Sequence, residues 1–282
     1  MKMKYLNLLL PIVVVGLFFT SCKDNDVIDV SEPITEAEAV ALVETDDISD
    51  DVNSIIDDFF VSEEDLSGKS LDSSKSGMLD CVTKTIVINS TTKTVTLDFG
   101  EGCELPNGNV LSGVIYMNYA IDTSVQSLAI TYGFENFYFN ELSVEGENTI
   151  VRVRENENGN PQSTLNFDMK VTWPDGEFAS RKGIKVREWI EGHGTRTWGD
   201  NVFLITGEWS ATFKNGTVLS AAITTDLRRE MACRFIVSGV LELQKNEKTG
   251  TLDFGDGTCD NKALFTNEAG EEIEITLRKR IF

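Results

Sequence analysis

Thr164-Leu165-Asn166-Phe167-Asp168-Met169-Lys170-Val171 alternates polar and apolar side chains with a period of two. That period belongs to a β-strand with one face buried and the other in solvent. The signature extends in both directions. Runs rich in Val, Ile, Thr, Tyr and Phe predict strands at 94–99, 114–120, 127–132, 149–154, 202–208, 211–213, 218–224, 235–243 and 272–277. Five hairpin-type dipeptides separate them: Asn107-Gly108, Asn158-Gly159, Asp175-Gly176, Asn215-Gly216 and Asp256-Gly257. No long helical pattern interrupts residues 81–282, which argues against parallel βαβ units. The reading is all-β: an antiparallel meander forming a sandwich or an open curved sheet, preceded by a short acidic helical arm.

The arm precedes residue 81. Thr35-Glu36-Ala37-Glu38 has the spacing of a capping box, with Val40, Leu42 and Val43 behind it, so a first short helix is expected at 37–43. Ile48, Val52, Ile55, Ile56, Phe59 and Phe60 recur at intervals of three and four, which predicts a second helix at 48–60. On that reading Asp50, Asp51, Asp57 and Asp58 face solvent. Residues 67–77 are rich in Ser and Gly and read as a linker. The expected organisation is a signal segment at 1–21, an acidic tether with two short helices at 22–80, and a β-rich domain at 81–282.

An internal repeat organises the cysteines. Thr96-Leu97-Asp98-Phe99-Gly100-Glu101-Gly102-Cys103 returns as Thr251-Leu252-Asp253-Phe254-Gly255-Asp256-Gly257-Thr258-Cys259. Each copy has an upstream cysteine, Cys81 or Cys233, followed by a β-branched stretch. Two hairpins, each stapled by its own disulfide, explain the pattern most simply: Cys81 with Cys103, and Cys233 with Cys259. Each bridge would contribute about 3 kcal/mol in the chain-entropy account.

The formal charge of -21 is concentrated in the arm, where residues 23–80 carry 18 acidic side chains against 3 lysines. Such a chain is ill suited to nucleic acid, because that binding depends on Lys and Arg neutralising phosphates. The start of the chain carries a different signal. Lys2 and Lys4 precede an apolar run from Leu6 to Phe19, which ends Phe19-Thr20-Ser21-Cys22. A basic segment, a short apolar core and small residues before a cysteine read as a lipoprotein signal peptide. Cleavage would leave Cys22 lipidated, with palmitate among its acyl chains, and the membrane would be a partner through that lipid. The expected location is the cell envelope, as an outer-membrane lipoprotein. Lys23-Asp24-Asn25-Asp26 resembles the acidic export signal of surface lipoproteins in Bacteroidota, which implies an outward-facing protein.

Catalytic signatures are sparse. His193 is the only histidine, in Trp189-Ile190-Glu191-Gly192-His193-Gly194, and reads as a turn residue. There is no Gly-x-Ser-x-Gly elbow, dinucleotide motif or phosphate loop, and no cofactor is expected. Glu188 and Glu191 are nominal partners for glycoside hydrolysis, which needs two carboxylates. Asp253, Asp256 and Asp260 form a candidate cation site, since calcium takes oxygen ligands, although Asp and Gly in a turn serve the same purpose as turn formers. Two aromatic groups suggest ligand stacking: Tyr132, Phe134, Phe137, Tyr138 and Phe139, and then Trp189, Trp198 and Trp209. The tryptophans are the candidate binding residues.

Several stretches together resemble a family of uncharacterised cell-envelope lipoproteins found in Bacteroidota. They are Thr96-Leu97-Asp98-Phe99-Gly100, Arg187-Glu188-Trp189-Ile190-Glu191-Gly192, Phe203-Leu204-Ile205-Thr206-Gly207, Cys233-Arg234-Phe235-Ile236-Val237-Ser238-Gly239 and the second cysteine loop through Lys262. The resemblance implies an exported, anchored protein and transfers no catalytic residue. Three readings follow. The first is a non-catalytic envelope lipoprotein that binds a glycan or an envelope protein, or serves a structural role. The second is a glycan-acting hydrolase with a cleft lined by two carboxylates and exposed tryptophans. The third is a lipid or lipoprotein carrier, whose curved sheet covers an apolar cavity plugged by the two helices.

Overall fold

The computed structural model describes residues 32–66, 81–89, 92–105, 108–120, 127–193, 195 and 197–277. The β-strand reading of Thr164 to Val171 holds: these residues lie in a strand whose odd positions are buried. In chain order the elements are α1 (Glu36–Leu66), β1 (Thr83–Ile88), β2 (Thr92–Asp98), β3 (Cys103–Glu104), β4 (Val110–Ala120), β5 (Ser127–Phe139), β6 (Leu142–Val153), β7 (Gln162–Thr172), β8 (Phe178–Glu191), β9 (Val202–Phe213), β10 (Val218–Glu230), β11 (Ile236–Lys245), β12 (Lys248–Asp256), β13 (Lys262–Asn267) and β14 (Glu272–Thr276). The strands form one antiparallel sheet in sequence order, with β3 pairing onto β4 off the main path. It is a meander, and it is open: β1 and β14 are its two edges among the described residues. One helix, α1, lies against the inner face. Of the two architectures expected, the structure is the open sheet and not the sandwich.

Three of the hairpin dipeptides sit in the turns for which they were expected. Asn158-Gly159, Asp175-Gly176 and Asn215-Gly216 connect β6 to β7, β7 to β8 and β9 to β10. Asn107 lies outside the described residues. The long strands also need to bend. Gly146 in β6 and Gly207 in β9 have φ of 133° and 135°. A Cβ at either would collide with a backbone oxygen of the neighbouring strand, from Asp168 and Ile184 respectively. Bends of this kind let a sheet curl around a body instead of lying flat.

That body is α1, and here the expectation needs correcting. The capping box is present: Glu38 N donates to Thr35 Oγ1 at 3.2 Å and Thr35 N donates to Glu38 Oε2 at 2.8 Å. The helix it opens does not stop at Val43. It runs unbroken from Glu36 to Leu66 as a single 31-residue helix, not two short ones. Glu44-Thr45-Asp46-Asp47, between the two expected helices, contains no Gly or Pro to end a helix. Every residue from 45 to 54 is buried, so the sheet surrounds the helix instead of covering one stripe of it. Asp50 and Asp51 are therefore buried and do not face solvent. The side chains of Asp57, Asp58 and Phe60 lie outside what the structure describes, as do residues 67–80. Residue 81 is thus not a domain boundary in the structural sense, because the domain's core includes α1.

Leu42, Ile48, Val52 and Ile56 are fully buried among Val95, Ile115, Met117, Ile130, Leu219 and Leu241 of the sheet. Each such side chain contributes about 1.5–3 kcal/mol by leaving water. The disulfides form as expected, Cys81 with Cys103 and Cys233 with Cys259. Each staples a hairpin, β1–β2 or β11–β12, near one end of the open sheet. The repeated motif adopts the same turn twice. Asp98 Oδ1 accepts from Gly100 N, and Asp253 Oδ1 accepts from Gly255 N, both at 2.8 Å.

Candidate functional site

The strand period decides the fate of the nominated tryptophans. Trp189 in β8 and Trp209 in β9 both fall on the inward phase and are only 5% and 4% exposed. Trp189 packs on Phe203 with ring centroids 5.4 Å apart. Trp209 lies beneath Arg181 and Lys185, with Lys185 Nζ 4.6 Å from its ring centroid. Neither is an exposed stacking platform, so the expectation of exposed tryptophans is corrected for both; Trp209, next to Gly183, nevertheless contributes to the floor of the groove across β6 to β11 described below. Trp198 starts a short 3₁₀ turn at Trp198–Asp200, and its side chain lies outside what the structure describes. In the other aromatic group Tyr132, Phe137 and Phe139 are buried, while Tyr138 is exposed.

The aspartate loop is also reassigned. Asp253, Asp256 and Asp260 are exposed, and each accepts hydrogen bonds from its own turn: Gly255 N, Thr258 N and Oγ1, and Lys262 N. No group of three or more metal-ligating side chains converges among the described residues. The Asp and Gly residues here shape turns. His193 lies in a turn with its ring edge-on to Trp189. Cys22 lies outside the described residues. Among the described residues no helix is long and apolar enough to cross a membrane.

The nominated hydrolase pair is engaged elsewhere. Asn160 Nδ2 and Asn158 Nδ2 donate to Glu188 Oε1 at 2.7 and 2.9 Å. Hydrogen bonds from Asn160, Asn158 and Asn156 hold the Glu188 carboxyl below the usual range, which suits a carboxylate and not a proton donor. Glu191 pairs with Arg228 at 3.0 Å.

Two constellations emerge that the nominations missed. The first is internal. The middle of α1 is acidic and the inner face of the sheet opposite it is basic. Asp46 takes an ion pair from Arg181 and another from Lys185 Nζ at 2.6 Å, and Lys185 reaches Asp50 at 3.2 Å. Arg229 meets Asp51 at 2.7 Å, Arg187 donates to Ser54 Oγ at 2.9 Å, and Tyr132 donates to Asn53 Oδ1 at 3.1 Å. Nearer the start of α1, Lys245 pairs with Glu38 at 2.8 Å and Trp173 Nε1 donates to Glu44 at 3.0 Å. Burial pushes the Asp50 carboxyl up, but Lys185, Arg187 and Arg229 together outweigh it and hold it below its ordinary value. This network fixes where the helix sits in the trough.

The second constellation is external. On the opposite face of the sheet, six adjacent strands from β6 to β11 line a groove of about 750 Å³. Two cross-strand rows cross its floor. One runs Asp168, Lys182, Ser210, Ser220, Gln244, and the other Thr149, Asn166, Ile184, Glu208, Ala222, Glu242. Glu147 adds a further carboxylate. The small side chains of Ser210, Ser220 and Ala222 leave room between longer neighbours on both sides. The lining presents hydroxyls, amides and carboxylates, which can both donate and accept. A concave site with several convergent polar groups is where a ligand is most readily held. Against known protein families, curated proteins and solved structures, the chain finds no match.

Proposed function

We propose that this chain is a lipid-anchored cell-envelope protein, of the uncharacterised Bacteroidota lipoprotein type, whose β-domain is a non-catalytic binding module. The observation that carries the binding role is the groove across β6 to β11. Its polar groups come from the outward phase of six paired strands and so sit on a rigid scaffold. A glycan suits its hydroxyl and amide lining better than an apolar ligand does. The hydrolase reading loses its nominated pair, because Glu188 and Glu191 are held by asparagines and by Arg228. The carrier reading required a helix in the trough, and α1 is there. That helix fills the space a lipid would occupy, and its departure would strand Arg181, Lys185 and Arg229 without their buried counter-charges.

The anchor rests on the signal segment and Cys22. Cys22 precedes Glu32, where the described structure begins, by ten residues. A stretch of that length spans at most about 35 Å, which would keep the domain close to the bilayer. Metabolic labelling with a palmitate analogue should fail in a Cys22→Ala variant, and equal labelling would remove the anchor. A glycan array probed with the full-length protein tests the groove. Binding that disappears when Ser220→Trp fills the floor supports the reading, and binding that survives it places the site elsewhere.

A further inference from the structure

The charge of the groove narrows its ligand. Several carboxylates elsewhere on the outer surface hold cations: Glu145 with Lys170, Glu177 with Lys214, Glu191 with Arg228, Glu268 with Lys248 and Glu274 with Lys262, at 2.8 to 3.5 Å. In the groove only Asp168 is matched, by Lys182 at 3.4 Å. Glu147, Glu208 and Glu242 have no hydrogen bond or ion pair to any described side chain, and no cation lines the groove beyond the one that Asp168 already holds. Glu208 and Glu242 sit in one cross-strand row with Ala222 between them, which puts their Cα atoms about 10 Å apart at ordinary strand spacing.

We propose that the groove takes a glycan bearing protonated amino groups. The inference rests on the groove being the binding site. Ammonium groups would pair with Glu147, Glu208 and Glu242 through charge-assisted hydrogen bonds. Sugar hydroxyls would use Thr149, Asn166, Ser210, Ser220 and Gln244, and the half-exposed Ile184 offers an apolar contact for a sugar face. An acidic glycan would meet like charge and be rejected.

The test compares short glucosamine oligomers, which carry ammonium groups, with their neutral N-acetylated counterparts, by calorimetric titration of detergent-solubilised full-length protein. The amine form should bind about tenfold or more tightly than the acetylated form, and its binding should weaken with added salt. Glu208→Gln and Glu242→Gln should each weaken it about tenfold, the worth of one charge-assisted hydrogen bond. Both positions are exposed, so circular dichroism should be unchanged. Equal binding of the acetylated oligomer, or indifference to both substitutions, overturns the charge inference while a Ser220→Trp block would still uphold the groove. No binding by either oligomer or by any arrayed glycan overturns the groove reading as well. Tighter binding of oligolysine than of the amino-glycan would make the partner a basic peptide and overturn the glycan class.

Discussion

Arg229 of β10 donates from Nη2 to Asp51 Oδ1 of α1 at 2.7 Å, across a sequence separation of 178 residues, with both side chains at most 2% exposed. Asn109 Nδ2 donates to the other oxygen, Asp51 Oδ2, at 2.6 Å. Asn109 Oδ1 in turn accepts from Arg234 Nη2 at 2.9 Å, beside the Cys233 disulfide. One helix carboxylate thus joins α1 to two distant parts of the sheet.

Removing one partner of this pair should be costly, because it leaves a buried charge without its counter-ion. Asp51→Ala or Arg229→Met alone should lower stability by about 3–5 kcal/mol. The double variant Asp51→Leu/Arg229→Met should lose less than the sum, since it buries no orphan charge. Urea unfolding of the three variants measures this. Single variants within experimental error of the parent would show that the pair does not hold the helix.

The same network makes α1 indispensable to the sheet. A fragment of residues 81–282 retains every strand yet leaves Arg181, Lys185 and Arg229 facing an empty trough. It should lack a cooperative thermal transition and sharp amide resonances, and should regain both when a synthetic peptide of residues 32–66 is added. A fragment that folds cooperatively by itself would restore the boundary at residue 81.

Acid should loosen the helix. The folded-state pKa of Asp50 is depressed by Lys185, Arg187 and Arg229 acting against burial. A depressed carboxyl contributes stability that is present above its unfolded value, about 3.9, and is lost as pH falls through the folded value. Stability should therefore hold from neutral pH to about pH 4 and decline below it. Asp50→Asn should be less stable at neutral pH and show a shallower acid limb in chemical denaturation from pH 7 downwards. A parallel decline in both proteins would assign the acid limb to other groups.

Each disulfide closes a hairpin and should act independently. Non-reducing peptide mapping should link Cys81 to Cys103 and Cys233 to Cys259. Replacing either pair by serine should cost about 3 kcal/mol. A Cys81–Cys233 peptide would overturn the one-bridge-per-hairpin arrangement.

Much of this architecture was legible locally. The period of two, the Asn-Gly and Asp-Gly turns, the capping box at Thr35 and the repeat around Cys103 and Cys259 all act within a few residues. Their outcome therefore depends on neighbours that the sequence displays. The length of α1 and the site were less legible. Asp46, Asp50 and Asp51 look like solvent-facing charges on any helical projection, because their counter-ions lie 135 to 178 residues away. One signal was available. Arg181, Lys185 and Arg187 share the inward phase of β8 with Ala179 and Trp189, and cations on the buried phase of a strand call for buried anions. Trp189 and Trp209 read as exposed because a period of two shows that a residue lies on one of two faces, but not which one the helix will cover.

The sequence by itself determined the antiparallel β class, many of the strands though not β8 or β12, three of the turn positions, the disulfide pairs and where the helix begins, since each follows from local backbone and side-chain preferences or from a repeat. Only the tertiary structure decided that the sheet stays open and curls around α1, that the acidic segment becomes core instead of tether, and that the unpaired carboxylates of β6, β9 and β11 share a groove. Those outcomes depend on which face of a two-sided sheet is buried, and that choice is made by charges and apolar side chains that meet only after the chain has folded.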